Sequence, residues 1–394
     1  MALIYVDQLE IKDKKVLARF DFNVPLDSKG NITDDTRIKE ALPTLRHILD
    51  QGAKKLILMS HLGRPKGGPE AKYSLSPVGD YLARALNEEV LLTESALDAG
   101  IKTILNLSKN RIILLENIRF HPEEEKNDAE FSKKLASYAD CYVNDAFGTS
   151  HRKHASTYGV IAYFGKGKYA GGFLMKKEIQ ALDKIVNSPN HPFVAILGGA
   201  KVSDKIKVIE RLLPSVEKLL IGGAMAYPFL KARGYEIGKS LCNEEDVKLA
   251  ASILSSQKNK IELPLDHVCG TSLEDASGTI VEKIARNQIG LDIGPMTVNH
   301  FESYLNNAKT VLWNGPMGLF EKEAYSNGTA AVAKKLASLK GAFTLVGGGD
   351  SVAAINKFGL AEKVSHVSTG GGASLEYIEE GTLPGIQALK FGLH

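Results

Sequence analysis

LVGGGDSVAAI (345–355) passes from an apolar, β-type run through three glycines into a segment of helical period. The same order recurs in ILGGAKVSDKI (196–206), LIGGAMAY (220–227), LWNGPMGLFE (312–321) and VSTGGGASLEYI (367–378). At least four of these five place small residues between a strand and a helix. Strands that alternate with helices give βαβ units and a parallel sheet covered on both faces. Ligands of such sheets sit outside the carboxyl ends of the strands, where these turns fall. A glycine turn lets backbone N–H groups and a helix start face a phosphate without side chains in the way. One such turn also serves simply to close a tight connection. Five together, with Lys201 and Lys205 after one and Asp350 after another, point to a nucleotide site.

Outward from there, the second half carries the apolar runs FVAIL (193–197), EKLLI (217–221), KIELPL (260–265), TVLW (310–313), AFTLV (342–346) and VSHVS (364–368). The first half carries VLARF (16–20), KLILMS (55–60), RIILLE (111–116) and DCYVND (140–145). Amphipathic stretches such as 37–52 and 129–140 lie between the runs. Ten runs exceed one modest sheet, so two α/β domains are expected. The boundary falls within 165–192, where GKGKYAGG (165–172) precedes the helical FLMKKEIQALDKIV (173–186) and the breaker SPNHP (188–192). The 173–186 segment is expected to bridge the domains.

The 394 residues hold 49 basic and 46 acidic side chains, with 28 and 25 up to position 190 and 21 of each after it. Neither half has the excess of a nucleic-acid tail or a membrane anchor, so no nucleic acid and no membrane partner is expected. The cysteines Cys141, Cys242 and Cys269 lie far apart, which argues against a disulfide framework or a structural zinc site. The N-terminal stretch lacks a basic segment followed by an apolar one, and no apolar run reaches membrane-spanning length. A soluble, cytoplasmic protein is expected.

The first-half strand ends read differently: DFNVP (21–25), HLGRP (61–65), ENIRF (116–120) and NDAFGTSHRKH (144–154). Arg37, His61, Arg64, Arg119, His151, Arg152 and His154 could converge there with Asp21 and Asn23. Several guanidinium groups at one mouth suit a small, multiply charged anion. Independent surface arginines are the plainer alternative. Other motifs fail. GKGKYA (165–170) fits G-x-G-x-x-A but does not lie between a strand and its helix. GYEIGKS (234–240) is one residue short of a Walker A loop. HRKH (151–154) spaces two histidines without a third ligand, Trp313 is expected in the core, and the EEE at 123–125 reads as a solvated loop.

A magnesium-nucleotide site on one domain and an arginine-rich anion site on the other imply phosphoryl transfer, which needs placement and charge neutralisation more than covalent chemistry. Two rivals are a silent nucleotide-binding protein on the same fold and an RNA-binding module at the basic mouth. The first is opposed by the presence of Arg37, Lys205 and Asp350. The second is opposed by the apolar strand context of Phe20, Phe22 and Phe120.

RFDFNVP, SHLGRP, ENIRF, NDAFGTSHR, GGAKVSDKI, WNGPMGLFE, VGGGDS and STGGGAS occur in that order over some 350 residues, and the chain resembles the phosphoglycerate kinase family, of the bacterial type, from end to end. The resemblance implies two Rossmann-like, three-layer α/β domains with mainly parallel sheets. These would be 1–170, which binds phosphoglycerate, and 189–378, which binds the nucleotide. A helix over 171–188 would join them, and the tail from about 379 to 394 would return to the first. It implies reversible transfer between ATP and the carboxylate of 3-phosphoglycerate, giving ADP and 1,3-bisphosphoglycerate, with Mg2+, as a monomer, after domain closure. By the same resemblance Asp21, Asn23, Arg37, His61, Leu62, Gly63, Arg64, Arg119 and Arg152 would hold the phosphoglycerate. Lys201, Gly222, Gly223, Gly294, Asn314, Glu321, Gly348, Gly349, Asp350 and Ser351 would hold the nucleotide, with Asp350 toward the metal. Arg37, Lys201, Lys205 and the 370–372 glycines, Gly371 and Gly372 among them, would act on the transferring group. Met296, and Ser150 and Lys153 beside Arg152, depart from the family pattern in details of contact.

Overall fold

The computed structural model describes residues 2–98, 100–257 and 259–393. The chain forms two compact units, Met1–Gln180 with Thr382–His394, and Ala181–Gly381. The helix Phe173–Val186 runs through the point of division.

The first unit is built on six parallel strands: β1 (Lys15–Arg19), β2 (Lys55–Met59), β3 (Val90–Leu92), β4 (Ile112–Leu114), β5 (Cys141–Asn144) and β6 (Tyr169–Gly171). Their order is β3-β4-β2-β1-β5-β6. All five residues of β2 are buried, as a strand covered by helices on both faces requires. On one face Val16, Ala18, Leu56, Leu58, Ile112, Leu114 and Val143 pack with Ile38, Leu45 and Ile48 of the helix Thr36–Asp50 and Val78 and Leu82 of Ser76–Leu86. From β1 the chain winds toward β2 on one side and later toward β5 on the other. The order therefore reverses between β1 and β5, and the segments that follow these two strands flank the crevice of the sheet.

The second unit repeats the plan. β7 (Phe193–Leu197), β8 (Lys218–Ile221), β9 (Ile261–Glu262), β13 (Thr310–Asn314), β14 (Phe343–Gly347) and β15 (His366–Val367) form a parallel sheet ordered β15-β14-β13-β7-β8-β9. The reversal falls between β7 and β13. Trp313 is fully buried in the core with Val194, Ile196, Val311 and Val346, and its indole N–H donates to the Gly315 carbonyl at 2.8 Å. Between β9 and β13 lie β10 (His267–Gly270), β11 (Thr279–Val281) and β12 (Ile289–Ile293), a small antiparallel sheet.

The α/β class and the paired parallel sheets agree with the sequence reading, and all ten apolar runs contain strands. The differences are at the margins. β3 and β6, which no run announces, are the two edges of the first sheet and only three residues each. GKGKYAGG is a strand in part, not simply a break. KIELPL shortens to Ile261–Glu262, ahead of Pro264. Among the described residues the three cysteines are free, and no helix is long and apolar enough to cross a membrane.

Candidate active site

In the first unit the segments that follow β1, β2 and β4 are held together by a polar network. Arg37, on the first turn of the helix Thr36–Asp50, donates to Asp21 Oδ2 at 2.7 Å. His61 Nδ1 lies 3.9 Å from the other Asp21 oxygen. The Asn23 side chain accepts from Gly63 N at 2.8 Å, and the Gly63 carbonyl accepts from Arg119 at 3.2 Å. Asp21, Asn23, Arg37, His61, Gly63 and Arg119 are thus one connected set. Leu62 is buried, and its carbonyl accepts from Asn117, so it belongs to the scaffold. Arg64 is exposed. Arg152 Nε donates to His151 Nε2 at 3.2 Å.

Burial alone would raise the Asp21 carboxyl, but Arg37, His61 and Arg19 hold it below the usual value. Burial drives His61 well below the ordinary imidazole value; Asp21 opposes this, and Arg19, Arg119 and Arg37 add to it. Burial, with Arg119, Arg19 and Arg152, takes His154 down to about 4, and burial, with Arg152 and Arg119, lowers His151. The histidines are therefore neutral at pH 7, and the positive charge is carried by guanidinium groups. Arg119 is desolvated and repelled by Arg19 and Arg152, which Glu125, 3.5 Å from its Nε, and Glu124 only partly offset, so a further anion is favoured here.

Sequence reasoning missed Arg19. It is fully buried at the end of β1, with Nε bonded to Ser156 Oγ at 2.9 Å and Nη2 3.1 Å from His61 Nδ1. Glu124, also buried, receives the Ser156 hydroxyl at 2.6 Å. The available signal was an arginine closing the otherwise apolar run VLARF directly before Asp21.

Gly63 stands at φ +63°, and a Cβ there would lie 2.3 Å from the Tyr73 ring. Gly63→Ala should therefore displace both the Asn23 and the Arg119 contacts. We expect the KM for the small anionic substrate to rise about tenfold, with the nucleotide KM unchanged, in steady-state assays.

In the second unit the glycine turns divide into two kinds. Gly198 packs against Gly315 and Gly223 against Gly199, while Gly222 lies against the Met317 side chain. A Cβ on Gly198 would lie 2.0 Å from the Pro316 carbonyl, and one on Gly315 2.2 Å from the Gly198 carbonyl. Gly223 N donates to Met317 O, and Met225 N to Gly199 O. Gly294 faces the buried Asp266, whose carboxylate accepts from Met296 N and Thr297 N. Gly198, Gly223 and Gly315 let backbones meet, and Gly222 and Gly294 make room for the Met317 and Asp266 side chains. Gly349, Gly371 and Gly372 instead open on free space, at the starts of the helices Gly349–Lys357 and Gly372–Glu380, neither of which has a side-chain cap. Gly348, at φ +88°, abuts the Asn314 amide.

Lys205 is partly buried and donates to Asn314 Oδ1, while Asn314 Nδ2 donates to Gly347 O at 2.9 Å. Burial lowers the Lys205 ammonium to about 8, against the pull of Asp350 and Asp204. Ser351 is buried, with its hydroxyl accepting from Gly315 N at 2.5 Å, so Asn314 and Ser351 brace the loops. Lys201, Glu321 and Asp350 are exposed.

A guanidinium cluster on one sheet, and a partly buried lysine beside helix starts without side-chain caps on the other, stabilise charge without a covalent relay. That is the equipment of a phosphotransferase. Residues 6–381 match the family model described as phosphoglycerate kinase, and the chain belongs to that family. The phosphoglycerate kinase of Anaeromyxobacter dehalogenans is 51% identical over 99% of this chain and 100% of its own length. The chloroplastic phosphoglycerate kinase of Volvox carteri is 50% identical over 96% of this chain and 84% of its own. Among solved structures, phosphoglycerate kinase from Coxiella burnetii superposes with a TM-score of 0.88 at 39% identity, covering 99% of both chains. That from Pyrococcus horikoshii gives 0.84 at 32% identity, also over 99% of both.

Proposed function

We infer that the chain transfers a phosphoryl group reversibly between ATP and the carboxylate of 3-phosphoglycerate, giving ADP and 1,3-bisphosphoglycerate. The observation that carries the reading at the site is the pairing of neutral histidines with crowded, desolvated arginines around Asp21. Such a cluster suits a doubly anionic acceptor, with Arg119 and Arg37 as its grip, Arg19 as an added buried charge, and Arg64 and Arg152 at the rim. The acceptor carboxylate is already ionised at pH 7, so no general base is required. Lys205 supplies positive charge to the transferring group, and the open N–H groups near Gly349, Gly371 and Gly372 add donors. The remaining nucleotide residues are proposed as above, with Asn314, Ser351, Gly222, Gly223 and Gly294 shaping the site as much as touching the ligand. In-line transfer needs donor and acceptor together, and the proposed closure bends about the linking helix.

Among the described residues no cluster of three or more His, Cys, Asp or Glu side chains could cage a metal. That fits Mg2+, which binds through one or two carboxylates and the substrate phosphates, and Asp350 on the first turn of its helix is the carboxylate we assign to it. Bound there, the ion would neutralise phosphate charge. A cytoplasmic, monomeric enzyme completes the proposal.

The test is ADP formation from Mg-ATP with and without 3-phosphoglycerate, beside Arg37→Ala. Turnover should require the acceptor, and the variant should lose about 10²-fold in kcat/KM. Arg37 is the main partner of the nearly buried Asp21 carboxylate, so the variant should also lose some stability, and its activity is read on protein shown to be folded by circular dichroism. Acceptor-independent ADP release, or full activity in the variant, would overturn the assignment.

A further inference from the structure

The first turn of the linking helix Phe173–Val186 has four N–H groups that its own carbonyls cannot satisfy. Their partners come from elsewhere in the first unit. Gly172 N donates to the Asn144 carbonyl at 2.9 Å, and Phe173 N to Thr44 Oγ1 at 2.8 Å. Met175 N donates to Asp145 Oδ1 at 2.9 Å, and the Asp145 carboxylate is also favoured by the Leu174 N–H and the Thr44 hydroxyl. A residue about 30 positions upstream thus caps the helix.

Asp145 follows β5 and opens the segment that carries His151 and Arg152. Its own N–H donates to the Arg19 carbonyl at 2.8 Å. It is fully buried, and its second carboxylate oxygen has no hydrogen-bond partner. Gly172 leaves it room, since a Cβ there would lie 2.1 Å from the carboxyl carbon. The charged groups facing it are few. Glu40, from the helix Thr36–Asp50, repels it and is itself paired with Lys177 at 2.7 Å. Lys176 is turned to Asp7 at 3.0 Å, and His47 meets the Phe173 ring. Among the described residues no cation pairs with Asp145.

An anion here is attracted by the helix start and opposed by burial. A structural cap alone would be served by asparagine or serine, with no buried charge. We propose that Asp145 is a positioning residue that couples the Arg152 segment to the start of the linking helix, and that its ionised form supports turnover. The inference rests on the phosphoryl-transfer reading. Burial lifts the carboxyl to about 7, so the ionised cap forms and is lost within the neutral range.

The stability effect runs the opposite way. The folded chain binds this proton more tightly than the unfolded chain, whose carboxyl stays near 3.8. Stability therefore falls as pH rises from about 4 to 7, and the full penalty stands above 7. Asp145→Asn removes that penalty and weakens the cap.

The experiment compares wild type with Asp145→Asn from pH 5.5 to 8.5. The wild-type kcat should fall below about pH 7. The variant should lose that limb and show a kcat about fivefold lower at pH 8, the size of a weakened cap. Both KM values should stay within about twofold, and the denaturant midpoint at pH 8 should be no lower than wild type. An unchanged kcat and acid limb would overturn the proposal, and so would a lost kcat with a lowered midpoint. Should the variant not fold, wild-type amide exchange at Leu174 and Met175, corrected for intrinsic rates, decides instead. Protection should weaken as pH falls through about 7, and pH-independent protection would overturn the proposal. Wild type without acceptor-dependent turnover would refute the reaction instead, and the exchange result would still judge the coupling.

Discussion

Lys205→Met lowers kcat by about 10³-fold while the KM for either substrate changes only a few-fold. Methionine keeps the length and volume of the stem and removes only the charge. The ammonium is largely desolvated, so its field on an anionic phosphoryl group is weakly screened, and losing one such donor typically costs about 10²–10³ in rate. Before substrate arrives the charge rests on Asn314 Oδ1, between the strand end and the Gly347–Ser351 turn. It is exchanged for the ligand, not created by it. Because burial lowers this ammonium to about 8, the free enzyme loses the charge as pH rises through that value. The kcat/KM profile of the wild type should fall above about pH 8, and bound nucleotide should move that limb upward. Lys205→Met should lack it. A variant that keeps both its rate and its alkaline limb would remove Lys205 from the mechanism.

Gly315→Ala gives the largest expected loss of stability, about 3 kcal/mol or more. Two penalties coincide: φ +98° is unfavourable for any residue with a Cβ, and that atom would lie 2.2 Å from the Gly198 carbonyl. The obstacle is backbone on a strand-end turn, so it cannot swing aside. For a unit of this size the midpoint should drop by roughly 10 °C, read by calorimetry. Gly349→Ala is the contrast. It has ordinary φ and nothing within 4 Å, so its stability should hold while nucleotide binding weakens.

These two glycines show where sequence reading succeeds and where it stops. Five glycine turns after strands mark the carboxyl end of a parallel sheet, because only small residues let a strand turn sharply into a helix. Which glycines face a ligand and which face another backbone depends on contacts between turns more than 90 residues apart, such as Gly198 with Gly315. No local pattern encodes that. The central strands were legible because burial on both faces forces near-continuous apolar runs. The edge strands β3 and β6 were not, since a three-residue edge makes few demands on composition. Asp21, Asn23, His61, Gly63 and Arg119 were legible as a group because they follow strand ends, with Arg37 opening the helix that comes after β1. Arg19 was hidden within a strand, where its partners Ser156 and His61 come from distant segments.

The first unit is not continuous in the chain. It breaks off at Gln180 and is completed by Thr382–His394, with Gly385 N donating to the Ser150 carbonyl beside His151 and Arg152. On the ribosome, the N-terminal sheet must wait while about 200 further residues are made, roughly 10–40 s at ordinary synthesis speeds. The intervening unit is a single uninterrupted segment and can fold as it emerges. The segment bearing Arg152 thus receives a brace from residues that are made only after the whole of the second unit.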